Sequence, residues 1–336
     1  MKKEEIIDES PTIEEALKKL RKQYGNEVIL KANDTPKKIE SIPTNCFAID
    51  RLLGCGGIPV GRIIEVFSEP SAGKSTLCLF FAAQVQKSGG MVVWIDAENA
   101  YEASYAKSIG VDTSKLMVSQ SETLEECFDT IRALAETKKI KLIVVDSVSA
   151  LVPRSELEGE EMLKDTYAVQ ARLLSKALRI ITGPISRSGT ILIFINQTRS
   201  KVGVYWGNPE VSTGGKALKF YSSVRLSVAK GDKIMGIKKD EQIGNVVKIT
   251  AVKNKVGFPF KKGSFDLYYG EGIDLVADTL DTAEELKVIK KEGNTYSLGE
   301  TKLGVGRDKA IEFLKVDQEI YKKIHQLVES VIKNEK

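Results

Sequence analysis

The chain has 336 residues, 42% of them hydrophobic and 29% charged, which is the composition of a folded, water-soluble protein and excludes a disordered or membrane-embedded one. Fifty Lys and Arg against 46 Asp and Glu leave a net charge of +4, too little to argue for a nucleic-acid partner without local clustering. The one histidine, His325, rules out histidine-based triads and His-rich metal sites, while Cys46, Cys55, Cys78 and Cys127 lack C-x-x-C spacing and read as reduced small hydrophobes.

The opening MKKEEIIDES has no apolar core of a signal peptide, and no window approaches the roughly 18 apolar residues of a membrane span. A cytoplasmic protein with no membrane partner is expected. SPTIEEALKKLRKQYG then predicts a helix, with Pro11 in the first turn, a Thr12/Glu15 capping box and Gly25 as the stop. Its apolar face of Ile13, Ala16, Leu17, Leu20 and Tyr24 docks either on a neighbouring subunit or on the chain's own core. The polar stretch 31–41 reads as a linker. From Gly61 onward RIIEVF, MVVWID, KLIVVD and TILIFIN are nearly continuous apolar runs of strand length, as strands buried on both faces should be. Helical patterns near 75–87, 123–137 and 169–181 lie between them. The expectation is an α/β fold, a mostly parallel sheet flanked by helices. Beyond about Gly272 the pattern becomes short helices separated by turns, with Gly293, Gly299, Gly304 and Gly306 as breakers and a final amphipathic helix, a separate small domain.

FSEPSAGKST, following the first of those strands, matches the phosphate-loop pattern G-x-x-x-x-G-K-[ST], except that Ser68 stands at the first glycine. Such loops hold phosphate with backbone N–H groups at a helix N-terminus. The donors of greatest consequence come late, from Ser71 and Ala72 to Thr76; Gly73 admits close approach, Lys74 reaches the β and γ phosphates, and the Ser75 hydroxyl can ligate Mg²⁺. Ser68 turns the chain out of the strand, which is tolerable if its φ is negative. Asp146, at the end of KLIVVD, fits the Walker B acid, a second Mg²⁺ ligand. Glu98 in WIDAENA is a candidate base, which spacing alone does not rank above Asp96.

EVFSEPSAGKSTL, VVWIDAENA, LIVVDSVSALVPRSELEGE, LIFINQTRSKVGVYWGNPEVSTGGKALKFYSSVRL, VVKNKVGFPF and LYYGEGID together resemble the bacterial RecA recombinase family, from the N-terminal helix to the end of the chain. The stretch 196–226 is the most diagnostic, since generic P-loop ATPases share none of it. The resemblance implies a RecA-type P-loop ATPase core at 36–274, preceded by a polymerisation helix and linker at 1–35 and followed by a small α+β, duplex-DNA-binding domain at 275–336. It implies Glu98 as the water-activating carboxylate and Gln197 as the γ-phosphate sensor. Lys253 and Lys255 match the pair reaching a neighbour's ATP, and Glu102, Tyr105 and Tyr269 the adenine pocket. The DNA-contacting residues implied are Tyr167, Arg172, Ser175 and Arg179 in and after a first loop, and Arg199, Lys201, Val202, Gly214 and Gly215 in a second; basic, apolar and glycine residues suit a single-strand site.

Departures from the family's pattern are Ser68, the inverted order of Glu69 and Pro70, Asn99 for a common histidine, and a first DNA loop one residue longer. The implied function is ATP-dependent homologous pairing and strand exchange by a helical filament on single-stranded DNA, in recombinational repair and SOS induction. Implied partners are single- and double-stranded DNA, further copies of the chain and a LexA-type repressor. The alternatives are a ring-type motor and a non-hydrolysing DNA-coating paralogue. Lys287, Lys290, Lys291, Lys302, Arg307 and Lys309, with no acidic extension after LVESVIKNEK, are expected to form a basic face for duplex DNA.

Overall fold

The computed structural model describes residues 11–29, 39–158, 166–200, 210–212, 216–236, 238 and 241–334, without the side chains of 27, 158, 166–168, 199–200 and 210–212. Two compact units divide at residue 39. In the first, α1 (Ile13–Tyr24) carries the expected reciprocal Thr12/Glu15 capping box, ends at Gly25 with φ 91° and buries none of its residues. Most of the linker expected at 31–41 falls outside the described residues.

The second unit starts with β1 (Ser41–Ile42), α2 (Phe47–Leu53) and β2 (Ile58–Pro59), which pairs with β1. The P-loop strand β3 (Ile63–Ser68) leads into α3 (Lys74–Lys87), followed by β4 (Met91–Asp96), α4 (Ala103–Ser108), β5 (Leu116–Ser119), α5 (Leu124–Glu136) and β6 (Ile140–Asp146). Then come α6 (Arg154–Glu158), α7 (Thr166–Ser188), β7 (Ile191–Ser200), β8 (Glu210–Ser212) and α8 (Ala217–Tyr221). Strands β9 (Val224–Met235), β10 (Gln242–Asn254), β11 (Lys262–Tyr268) and β12 (Gly272–Ile273) complete a sheet ordered β12-β11-β10-β9-β3-β7-β6-β4-β5. Pairings from β9 across to β5 are parallel, and those from β9 to β12 antiparallel.

Alternation along the central strands feeds a separate core on each face. Ile64, Val66, Ile191, Ile193 and Ile195 pack with Leu77 and Phe81 of α3, while Ile63, Leu192 and Phe194 pack with Phe128 and Ile131 of α5 and Leu174 and Leu178 of α7. A strand with side chains buried on both sides reads as an unbroken apolar run, which is why the sequence pattern finds these strands. Glu65 interrupts the run and is fully buried.

The last segment comprises α9 (Leu275–Glu285), β13 (Lys290–Glu292), β14 (Thr295–Leu298), β15 (Thr301–Val305), α10 (Arg307–Val316) and α11 (Gln318–Asn334). The short helices expected around the glycines are corrected here: the stretch forms a three-stranded antiparallel sheet. Gly293 and Gly299, each at φ 58°, open its two-residue hairpin turns, where glycine's freedom at positive φ is needed. This core cluster includes Phe47 of α2, and the Asp278 carboxylate accepts from the Phe47 and Ala48 N–H groups at 2.5 and 3.0 Å. Asp278 thereby caps the first turn of α2 from 231 residues away.

Candidate nucleotide site

Strand β3 delivers the phosphate loop and α3 closes it. Ser68 is the last strand residue, in register with Gln197 of β7, so the position where a glycine is usual keeps extended backbone. The left-handed turns fall instead at Ser71, φ 58°, and Gly73, φ 94°, the cap of α3. Beyond Gly73 the 14-residue helix α3 presents its unpaired N–H groups and the positive end of its dipole. A cavity of about 230 Å³ opens there, lined by residues 71–76 together with Tyr105, Lys230, Asn245, Val247, Leu267 and Tyr269.

Lys74 is buried, and burial lowers its pKa against the opposing pull of Asp146 and Glu98. Its ammonium donates to Glu69 O at 2.9 Å and Ser68 Oγ at 3.0 Å. Asp146, at the tip of β6, is pushed up to about 6, first by burial, then by the charges of Glu98 and Asp96; the Ser75 hydroxyl and Lys74 act the other way. The Ser75 hydroxyl, whose proximity lowers the Asp146 pKa, and the half-buried Asp146 carboxylate form a pair of hard oxygen donors, a set that fits Mg²⁺.

The two carboxylates left unranked by sequence differ in their partners. Asp96, almost fully buried, accepts from the Ala100 and Tyr101 N–H groups at 3.1 and 2.9 Å and so ties down the turn after β4. Glu98 Oε1 accepts from the Ser147 hydroxyl at 2.5 Å and from Gln197 Nε2 at 3.0 Å. Its backbone is fixed by N–H donation from Ala97 and Glu98 to the Asp146 carbonyl. Ser147 had no sequence signal beyond its place after the Walker acid.

Thr76 and Tyr105 share a hydroxyl hydrogen bond of 2.6 Å. The Tyr269 hydroxyl receives the Asn245 and Gln242 amides at 2.6 and 2.7 Å. Asn245, Gln242 and Lys230 went unnoticed in the sequence because only the pairing of β9 and β10 carries them to the loop. Glu102 caps α4 and bonds the Ser104 hydroxyl, outside the cavity lining. Lys253 and Lys255 lie elsewhere: Lys253 is in register with Arg225, which is in register with Glu65, and Lys255 N–H donates to Ser223, all at the start of β3. The Lys253 ammonium rests on the Lys219 and Phe220 carbonyls at 2.6 and 3.0 Å.

Arg172, Ser175 and Arg179 are exposed on one face of α7. The side chains of Tyr167 and Arg199, and all of Lys201, Val202, Gly214 and Gly215, lie outside the described residues. In the terminal segment Lys287, Lys290, Lys302 and Lys309 are exposed, but Arg307 is held by Asp281 and Asp266 at 2.6 to 2.8 Å, so it does not join a free basic face. No helix among the described residues is long and apolar enough to cross a membrane.

A mostly parallel sheet whose central strand runs through a G-K-S loop into a helix, with an acid at the tip of β6, defines a P-loop nucleotide-binding protein. The RecA N-terminal domain model matches residues 11–274 and the RecA C-terminal domain model residues 277–333. Protein RecA of Thermus aquaticus is 44% identical over 318 residues, covering 94% of this chain and 93% of that protein. Protein RecA of Borrelia hermsii is 43% identical over 328 residues, covering 97% and 92%, and that of Chlorobium chlorochromatii 45% over 320, covering 94% and 90%. The chain belongs to the RecA family, and its function is that of a DNA recombinase, in homologous pairing and strand exchange.

Proposed function

We propose that the chain assembles as a filament on single-stranded DNA, and that ATP hydrolysis between adjacent protomers turns the filament over. The observation that carries this reading is the Gln197–Glu98 hydrogen bond. Gln197 stands on β7 directly before the second candidate DNA loop, 198–216, so one side chain joins the candidate base to the candidate DNA loop. In this reading Lys74 and the N–H groups of 71–76 bind the phosphates, and Ser75 and Asp146 would hold Mg²⁺. The metal, when bound, neutralises charge on the β and γ phosphates. Glu98, partnered by Ser147, takes the proton of the attacking water. Tyr105 and Tyr269 flank the base. Glu102 completes the adenine pocket from beyond the residues that line the cavity.

Lys253 and Lys255 act on the nucleotide of a neighbouring protomer, a role supported by their place at the end of β3 opposite the phosphate loop. Arg172, Ser175, Arg179 and the residues of both loops, Tyr167, Arg199, Lys201, Val202, Gly214 and Gly215, contact the strand. Residues 1–35 serve polymerisation, 36–274 catalysis and DNA binding, and 275–336 duplex capture, in the cytoplasm. A LexA-type repressor is the partner for SOS induction, tested by its self-cleavage in the presence of the filament.

The primary test is ATP turnover with and without single-stranded DNA for the wild type and Glu98→Gln. The expected result is stimulation in the wild type, and loss of turnover with retained ATP and DNA binding in the variant. Turnover near the wild-type rate in Glu98→Gln would assign the base elsewhere. Closed rings without helical filaments in electron micrographs would favour a ring motor instead.

A further inference from the structure

Ser68, which stands at the first glycine of the G-x-x-x-x-G-K-[ST] pattern, has a defined hydrogen-bonding state. Its hydroxyl is 4% exposed as a residue and donates to Glu69 O at 2.7 Å. With its single proton so used, Ser68 Oγ can only accept from other groups. The group it accepts from is the Lys74 ammonium, 3.0 Å away. The same ammonium lies 2.9 Å from Glu69 O and 3.4 Å from Ser68 O. An ammonium carries three N–H donors, and three protein oxygens, two carbonyls and the Ser68 hydroxyl, lie within 3.4 Å of that of Lys74. A glycine at 68 would leave the two carbonyls and remove the third acceptor.

Backbone geometry gives no competing reason for the serine. Ser68 is extended and paired with Gln197, and the positive-φ positions of the loop are Ser71 and Gly73. We propose that Ser68 is a positioning residue whose hydroxyl serves as a resting acceptor for Lys74, an acceptor that the terminal phosphates of the nucleotide must displace. The consequence is a loop whose lysine has one more protein acceptor competing with phosphate, and which binds nucleoside di- and triphosphates less tightly than a glycine-led loop. The inference rests on Lys74 being the phosphate-binding lysine of a working ATP site.

The effect expected is about 10-fold, the scale of one hydrogen bond to a charged group. Isothermal titration of the full chain with ATP and ADP in Mg²⁺, and with AMP by competition, is the direct test. Ser68→Ala and Ser68→Gly should tighten ATP and ADP about 10-fold. AMP lacks the phosphates that Lys74 reaches and should be unmoved. Ser68→Thr, which retains the hydroxyl, should bind all three as the wild type does, and thermal melts of the four proteins verify that each is folded. In steady state the alanine variant should show a lowered KM for ATP, with kcat changed by a smaller factor. Weaker or unchanged ATP binding in Ser68→Ala, an equal shift for AMP, or a threonine variant that behaves like alanine each overturns the proposal. A wild type that binds no ATP at all would overturn the ATP-site reading, and this inference with it.

Discussion

Arg225→Met is expected to destabilise the core far more than an ordinary surface substitution. Glu65 is fully buried on β3, where its carboxylate receives Arg225 Nε at 2.5 Å from β9 and the Asn196 amide at 3.1 Å from β7. Arg225 is 12% exposed at its side chain and also stacks its guanidinium over Phe67, 4.5 Å from the ring centroid. Methionine keeps the aliphatic stem and removes the charge, so Glu65 is left in the sheet with one neutral donor. Removing one partner of a buried ion pair costs about 3–5 kcal/mol. For a unit spanning residues 40–336 that corresponds to a fall in Tm of roughly 5–8 °C. Glu65→Gln leaves a charge that reaches solvent and should cost less, about 1–3 kcal/mol. The double variant should therefore lose about 1–3 kcal/mol less than the sum of the two single losses. Urea unfolding followed by circular dichroism, at a concentration low enough to suppress assembly, measures all three. A loss below about 1 kcal/mol for Arg225→Met, or strict additivity in the double variant, would refute the reasoning.

Lys253→Ala and Lys255→Ala should each abolish DNA-dependent turnover in pure form yet regain part of it when mixed with Lys74→Ala protein; failure at every mixing ratio would count against action across the interface. Asp278 is buried and its pKa is raised to about 6, chiefly by that burial. A carboxyl with a folded pKa above its unfolded value contributes stability fully present below about pH 4 and lost as pH rises to about 6. The loss is on the order of 3 kcal/mol, so thermal melts from pH 4 to 8 should show this component in the wild type and not in Asp278→Asn; identical profiles would refute it. Replacing Lys290, Lys302 and Lys309 together by Gln should weaken duplex binding and flatten its salt dependence, since these side chains are exposed; an unchanged slope of log affinity against log salt would remove the terminal segment from duplex capture.

The central strands and the phosphate loop were legible because their signals are local: unbroken apolar runs, and a G-K-S triplet after one of them. Glu65 carried a warning that local reading could not use, a carboxylate inside RIIEVF. Its partners Asn196 and Arg225 are 131 and 160 residues away, and only the order β9-β3-β7 joins them. The same holds for Asn245 and Lys230, which reach the cavity through the pairing of β9 and β10. Gly293 and Gly299 misled for a different reason. Glycine breaks a helix and opens a hairpin equally well, and the intervening strands are three to five residues long, too short for alternation to declare itself. Asp96 and Glu98 were indistinguishable by spacing, since what separates them is where the turn's N–H groups point: at Asp96.

Strand β3 connects the two halves of the proposed reaction by its direction alone. The phosphate loop leaves its C-terminal end at Ser68, while Lys253 and Lys255 sit beside its beginning, through Arg225 and Ser223. A strand rises about 3.3 Å per residue, so the residues from Glu65 to Ser68 and the loop beyond them separate the two sites by more than a lysine side chain spans. Within one protomer the two sets therefore lie toward opposite ends of β3. If both act on one nucleotide, the second set comes from another copy, by a contact of one end of the sheet with the opposite end of its neighbour. Such a contact is heterologous: it leaves an unused half-site at each end of any open assembly and therefore propagates. In that proposal Lys253 would have to leave the Lys219 and Phe220 carbonyls to reach another protomer's phosphate. Those carbonyls belong to α8, which follows the second candidate DNA loop directly in the chain, so the helix that anchors the lysine is also the element that holds the end of that loop.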